Sequence, residues 1–202
     1  MNNIEKKRIA VLVSGGGTNL QALIDAQKNN GLGGGELVLV VSSRAGVHAL
    51  TRAENFGIKT IIIERKKYSN NDEFDSALLD CLTEEKIDLV VLAGFLSVLG
   101  NNIIKKYENR IINVHPSLIP SFCGNGYYGL RVHEEALKYG VKITGATVHF
   151  VDESVDGGKI ILQKAVDVLP DDNAETLQQR VMREAEWELL PRAVEKFCRG
   201  EI

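Results

Sequence analysis

Asn113 and His115 stand two residues apart at the end of an apolar, strand-like run, in the segment Asn113-Val114-His115-Pro116-Ser117-Leu118-Ile119-Pro120. On extended backbone, side chains at i and i+2 point the same way, so this amide and imidazole could together polarise one carbonyl oxygen. The two prolines stiffen the segment. Each fixes its own φ and pushes the residue before it out of the α region, which holds His115 in a defined path. The alternative is a strand end with a core histidine and a turn, because a lone imidazole needs a partner before it counts as catalytic.

Asp156-Gly157-Gly158 could supply that partner. Two glycines after an aspartate suit a tight loop that brings a carboxylate up to a neighbouring loop, although alone the motif is only a turn. An aspartate beside His115 would stabilise its imidazolium and fix the ring. A third motif, Ser14-Gly15-Gly16-Gly17-Thr18-Asn19-Leu20, sits where a first strand turns into a first helix. Glycines there let backbone amides approach an anion, and the helix N-terminus adds favourable partial charge. A glycine turn with no ligand is the competing reading. The dinucleotide fingerprint fits poorly because its third glycine falls at Leu20, and no Walker lysine follows, so neither NAD nor ATP is favoured.

Elements must bring these motifs together. Ile9 to Val13, Leu37 to Val41, Ile58 to Ile63, Ile87 to Ala93 and Arg110 to Val114 are rich in Val, Ile or Leu, as expected of parallel strands buried on both faces. Helical segments over Asn19 to Lys28, Val47 to Asn55, Asp72 to Glu85 and Asn101 to Tyr107 alternate with them. Val141 to Val151 and Lys159 to Val168 show partial polar alternation about a short turn, which predicts an antiparallel pair. A long helix closes the chain over Asn173 to Cys198, with a capping box at Asp172 and Glu175 and a kink or split at Pro191. The expected fold is α/β: a Rossmann-like, mostly parallel sheet extended by an antiparallel strand pair, with helices on both faces and a long C-terminal helix. In such sheets ligands sit at the carboxyl ends of the parallel strands, where Asn113, His115 and Asp156 can converge.

Length and composition agree with a single domain over residues 1–202. The 202 residues are 44% hydrophobic and 25% charged, enough for a real core and unlike a disordered chain. No repeat or linker divides them, and the glycine-rich stretch Gly31 to Gly35 reads as a mobile loop between a helix and a strand. A net charge of −3 argues against a nucleic-acid surface, leaving small molecules as partners. Cys81, Cys123 and Cys198 are widely spaced and odd in number, which suits free thiols in a reducing compartment. Met1 to Arg8 lead into a strand with no signal-peptide apolar region, and no run is long enough to span a membrane, so the expected location is the cytoplasm.

The combination of Ser14 to Leu20, Leu92-Ala93-Gly94-Phe95, Asn113 to Pro120, Thr147-Val148-His149-Phe150-Val151 and Asp156-Gly157-Gly158 strongly resembles the phosphoribosylglycinamide formyltransferase family, folate-dependent enzymes of purine synthesis. The match runs almost end to end. The resemblance implies formyl transfer from 10-formyltetrahydrofolate, a co-substrate, to the amine of 5-phosphoribosylglycinamide, with no metal. Asn113, His115 and Asp156 fall on the family's catalytic trio: amide and imidazolium would hold the charge of a tetrahedral intermediate, with the carboxylate assisting proton transfer. Gly17, Thr18 and Asn19 match its phosphate-binding loop. Leu96, Ser97, Val98 and Leu99 match a segment whose backbone reads the pteridine, alongside the loop from Asp152 to Asp156. Arg183 and Glu186 match a basic-acidic pair near the ribotide; without the family they read as a solvated i,i+3 ion pair. His149 reads equally as a satisfied structural histidine. The resemblance implies a monomer or weak homodimer.

Two departures mark this chain. The stretch Ser121 to His133 is longer and more aromatic than in many relatives, and reads as a surface excursion rather than a flap over the folate. Many relatives have an arginine near Asn70-Asn71-Asp72; here the missing charge would either weaken substrate affinity or move the role to Lys66 or Lys67. Formyltetrahydrofolate hydrolase, methionyl-tRNA formyltransferase and sugar-amine formyltransferases share the trio, and a non-catalytic nucleotide- or folate-binding module is the alternative from another class.

Overall fold

In the computed structural model, which describes residues 6–202, seven strands form one sheet in the order β3-β2-β1-β4-β5-β6-β7. The reading of Met1 to Glu5 as free of a leader lies outside the described residues. Strands β1 (Lys7–Val13), β2 (Gly35–Ser42), β3 (Lys59–Ile62), β4 (Leu89–Leu92) and β5 (Ile111–His115) run parallel. Strands β6 (Ile143–Phe150) and β7 (Ile160–Asp167) continue the sheet antiparallel.

Strand periodicity divides the core. Ile9, Val11 and Val13 of β1 enter one apolar cluster, Ala10 and Leu12 the other, so one strand feeds both faces through its alternating side chains. Helices α1 (Thr18–Lys28) and α2 (His48–Glu54) cover the first face; α3 (Asn71–Glu84) and α4 (Asn101–Lys106) cover the second. Among the described residues no helix is long and apolar enough to cross a membrane.

Four local expectations change. The segment after Pro120 is not a surface excursion throughout: it leads into α5 (Leu130–Tyr139), which buries Val132, His133 and Ala136 and ends at Gly140 in the left-handed conformation. Gly31 to Gly35 is not simply a mobile loop, because Leu32 is buried in the core and Gly35 already belongs to β2. The closing helix does not split at Pro191, which lies inside α7 (Trp187–Cys198). It is instead interrupted upstream, where Met182–Glu186 widens into a π turn after α6 (Ala174–Val181). The capping box is formed by Asn173 and Thr176, each side chain meeting the other's backbone amide, rather than by Asp172 and Glu175. Asp172 instead takes the Leu169 amide and the Arg180 guanidinium, which hold its carboxyl down at about 2.

Candidate active site

A cleft of about 770 Å³ opens at the carboxyl ends of β1, β4 and β5. The chain departs from β1 toward β2 on one side and returns to β4 on the other, so the cleft lies at the point where strand order reverses. Segments following three strands meet there: 15–19 after β1, 93–99 after β4, and 115–116 at the end of β5.

Register places the first pair of groups. Asn113 lies opposite His149, and His115 opposite Thr147, across the β5–β6 ladder, on the face that β6 leaves free of Val148 and Phe150. The Asn113 Nδ2 is 3.1 Å from His149 Nε2. His149 Nδ1 lies 2.8 Å from the Phe150 carbonyl, which can only accept, so Nδ1 carries a proton, and Nε2 lies between the Asn113 amide and the Asp156 carboxylate. His149 is thus satisfied and at the same time orients the Asn113 amide.

Asp156 completes the cluster from the loop between β6 and β7. Its φ of 57° is the left-handed conformation, tolerated best by Asn, Asp and Gly among residues in turns. Its Oδ2 is 3.5 Å from His115 Nδ1 and its Oδ1 is 3.7 Å from His149 Nε2. Burial pushes Asp156 up, but His149, His115 and the Gly124 amide together bring it below the usual carboxylate range, so it is ionised. Burial dominates at His115 and lowers its proton affinity, against the opposing pull of Asp156 and of a hydrogen bond to Phe122. The imidazolium therefore gives up its proton more readily than a free one, although both ring nitrogens face acceptors, Nε2 the Phe122 carbonyl and Nδ1 the Asp156 carboxylate, as the charged form requires.

The long loop takes part in this cluster. His115 Nε2 donates to the Phe122 carbonyl at 2.9 Å, and the Gly124 amide donates to Asp156 Oδ2 at 2.9 Å. Residues 124–129 line the cleft, as does His133, fully buried with neither ring nitrogen hydrogen-bonded. Burial pushes His133 down to about 4. Sequence reading missed these contacts. Two are main-chain groups with no side-chain signature, and His133 follows a glycine-rich stretch that hides the start of α5.

At the other end of the cleft, Gly17 holds φ 73° and an added Cβ would meet Ala49 Cβ at 2.6 Å, so α1 can start this close to α2 only with glycine there. Gly17, Thr18 and Asn19 all line the cleft, at the N-terminus of α1. Asn19 Nδ2 donates to Glu186 Oε2 at 2.6 Å, and burial pushes Glu186 up to about 7. Arg183 does not join them. It is exposed, outside the cleft wall, and donates through Nε to Gln179. The i,i+3 ion pair expected with Glu186 is absent because the π turn carries these two residues to different faces. Leu96, Ser97, Val98 and Leu99 line the wall after β4; Asp152 lines the opposite lip, accepting the Ser154 amide. Lys66 and Lys67 both pair with Glu64, and Asn70 caps α3 by accepting the Glu73 amide.

An open α/β sheet with an amide, two imidazoles and a carboxylate converging at its switch point defines a site for acid–base group transfer, and the Formyl transferase family model matches residues 7–194. The chain is 39% identical to phosphoribosylglycinamide formyltransferase of Haemophilus influenzae over 196 residues, covering 97% of this chain and 89% of that protein. The crystal structure of glycinamide ribonucleotide transformylase 1 from Symbiobacterium toebii superposes with a TM-score of 0.90 at 40% identity, over 97% of this chain and 89% of that one. The chain belongs to the phosphoribosylglycinamide formyltransferase family. It is also 46% identical to the trifunctional purine biosynthetic protein adenosine-3 of Gallus gallus, covering 98% of this chain but 19% of that protein's length.

Proposed function

We propose that this chain transfers the formyl group of 10-formyltetrahydrofolate to the amine of 5-phosphoribosylglycinamide, giving formylglycinamide ribotide and tetrahydrofolate in purine biosynthesis. The observation that carries the reading is the convergence of Asn113, His115 and Asp156 between two differently built ends of one cleft. The glycine end suits a phosphate and the far end, walled by exposed Leu96 and Val98, suits a flat heterocycle. Gly17, Thr18, Asn19 and Glu186 would hold the ribotide; Leu96 to Leu99 and Asp152 the folate.

In this reading the amine attacks the formyl carbon, and negative charge develops on the formyl oxygen. Asn113, held by His149, offers an amide N–H to that oxygen, and His115 offers Nε2–H. Since Phe122 O now accepts from Nε2, the formyl oxygen must take its place, so residues 121–129 swing before reaction. Asp156 favours the imidazolium as charge develops and relays the amine's proton toward the folate leaving nitrogen. The same reading has the chain act as a monomer or weak homodimer. Three free thiols support a reducing, cytoplasmic setting.

The test is incubation with 10-formyltetrahydrofolate with and without the ribotide. Tetrahydrofolate should form only when the amine is present; release that ignores the amine would make the chain a hydrolase. Asp156→Asn should remain folded and lose about a hundredfold or more in turnover. Near-wild-type turnover would remove the carboxylate from the mechanism.

A further inference from the structure

We propose that Ser14 and Asp75 are positioning residues that clamp the Leu96–Leu99 backbone, one at each end, in the geometry that receives the flat heterocycle of the formyl donor. The inference rests on the formyl-folate reading above and assigns its donor site two residues that do not touch the ligand.

The segment between β4 and α4 has no regular structure of its own. Ala93 and Phe95 anchor its start, but within Leu96–Leu99 the side chains of Leu96 and Val98 are half or more exposed and only Leu99 is buried, so packing fixes little of that stretch. Its main-chain amides find buried acceptors instead. At the start, Leu96 N–H donates to Ser14 Oγ at 2.9 Å. Ser14 is itself buried, with its amide on Gly94 O at 3.1 Å and its Oγ 2.6 Å from Ser43 Oγ. Ser14 Oγ thus accepts from Leu96 and shares a hydrogen bond with Ser43 in which either hydroxyl can donate, and both contacts hold it in place.

At the end, Gly100 N–H donates to Asp75 Oδ1 at 2.8 Å, and the carboxylate also takes the Ile103 amide. A Cβ at position 100 would press on the Asp75 carboxylate, so glycine there lets backbone and carboxylate approach this closely. Asp75 is 2% exposed on a helix otherwise buried through Phe74, Leu78 and Leu82, and among the described residues it has no cationic partner. Placing a lone carboxylate there is unfavourable for stability unless its backbone bonds matter. Those bonds fix the exit of the segment as Ser14 fixes its entry.

The experiment is steady-state kinetics of Ser14→Ala and Asp75→Ala with each substrate varied separately, together with thermal melts. The expected result is a rise of about tenfold in KM for 10-formyltetrahydrofolate, with kcat and the ribotide KM within about twofold of wild type. Should Asp75→Ala fail to fold, Ser14→Ala decides alone, since it removes one buried acceptor, that of the Leu96 amide, and keeps the Ser14 amide on Gly94 O. A lower melting temperature with both KM values unchanged, or an equal rise in both, overturns the clamp. Wild-type protein that takes no formyl group from the folate overturns the functional reading and the clamp together; normal wild-type turnover with unchanged donor KM in the variants overturns the clamp alone.

Discussion

Glu186 shows how one residue trades stability for a place in the cleft. A carboxyl buried against a single amide, that of Asn19, releases its proton only near 7, whereas an unfolded chain releases it near 4.5. The folded-state value is raised, so the contribution to stability is fully present below about 4.5 and is lost as pH rises through 7. A gap of that size is worth about 3 kcal/mol when fully developed. Glu186→Gln keeps the shape and abolishes the titration, so its melting temperature should gain on wild type between pH 5 and pH 8. A difference between the two proteins that stays constant across that range would show that Glu186 does not titrate there. At Asp156 the balance runs the other way, since the neighbouring imidazoles and a backbone amide outweigh burial and keep the group charged beside His115. One cleft therefore holds a carboxyl poised near neutrality at its phosphate end and a firmly ionised one at its reaction centre.

Elements deliver these groups through their ends. Helix α6 begins at Asn173, whose side chain accepts the Thr176 amide at 2.8 Å, and runs into the π turn that aims Glu186 at Asn19. Asn173→Ala should cost about 1 kcal/mol, read as a melting temperature lower by roughly 2–4 °C. No change in melting would mean that Asp172 and Arg180 hold the helix start without the cap. The buried strands were legible in the sequence because parallel strands covered on both faces read as continuous Val, Ile and Leu runs; His115 stood out before Pro116, Asp156 before two glycines, and Asn113 as the residue two before His115 on the same strand face. The π turn was not legible: Leu177, Val181 and Ala185 repeat every four residues as in an ordinary helix, and the extra width shows only in the parting of Arg183 from Glu186. Helix α5 was hidden by a short buried face between Gly129 and Gly140, and the grip of its preceding loop on His115 and Asp156 is made by main-chain atoms that any sequence could supply.

At the scale of the whole molecule, the sheet makes its two apolar layers interdependent. Leu89 and Val91 of β4 face one layer while Val90 and Leu92 face the other, and β1 alternates in the same way. Stripping α3 and α4 from one face would leave Ala10, Leu12, Val90 and Leu92 in water on the strands that carry the opposite layer. Exposing that much apolar surface at about 25 cal/mol per Å² exceeds what a detached layer regains in chain entropy, so neither layer is expected to unfold first. Urea unfolding should therefore be one transition over residues 6–202, the behaviour of a single domain. Trp187, the only tryptophan, reports the layer that holds α7, and amide exchange at Phe74, Leu78 and Leu82 reports the layer that holds α3. Coincident midpoints from the two probes are the expected outcome. Loss of protection in α3 at a urea concentration where Trp187 fluorescence is still native would instead divide the chain into two cooperative units, with the donor wall after β4 belonging to the weaker one.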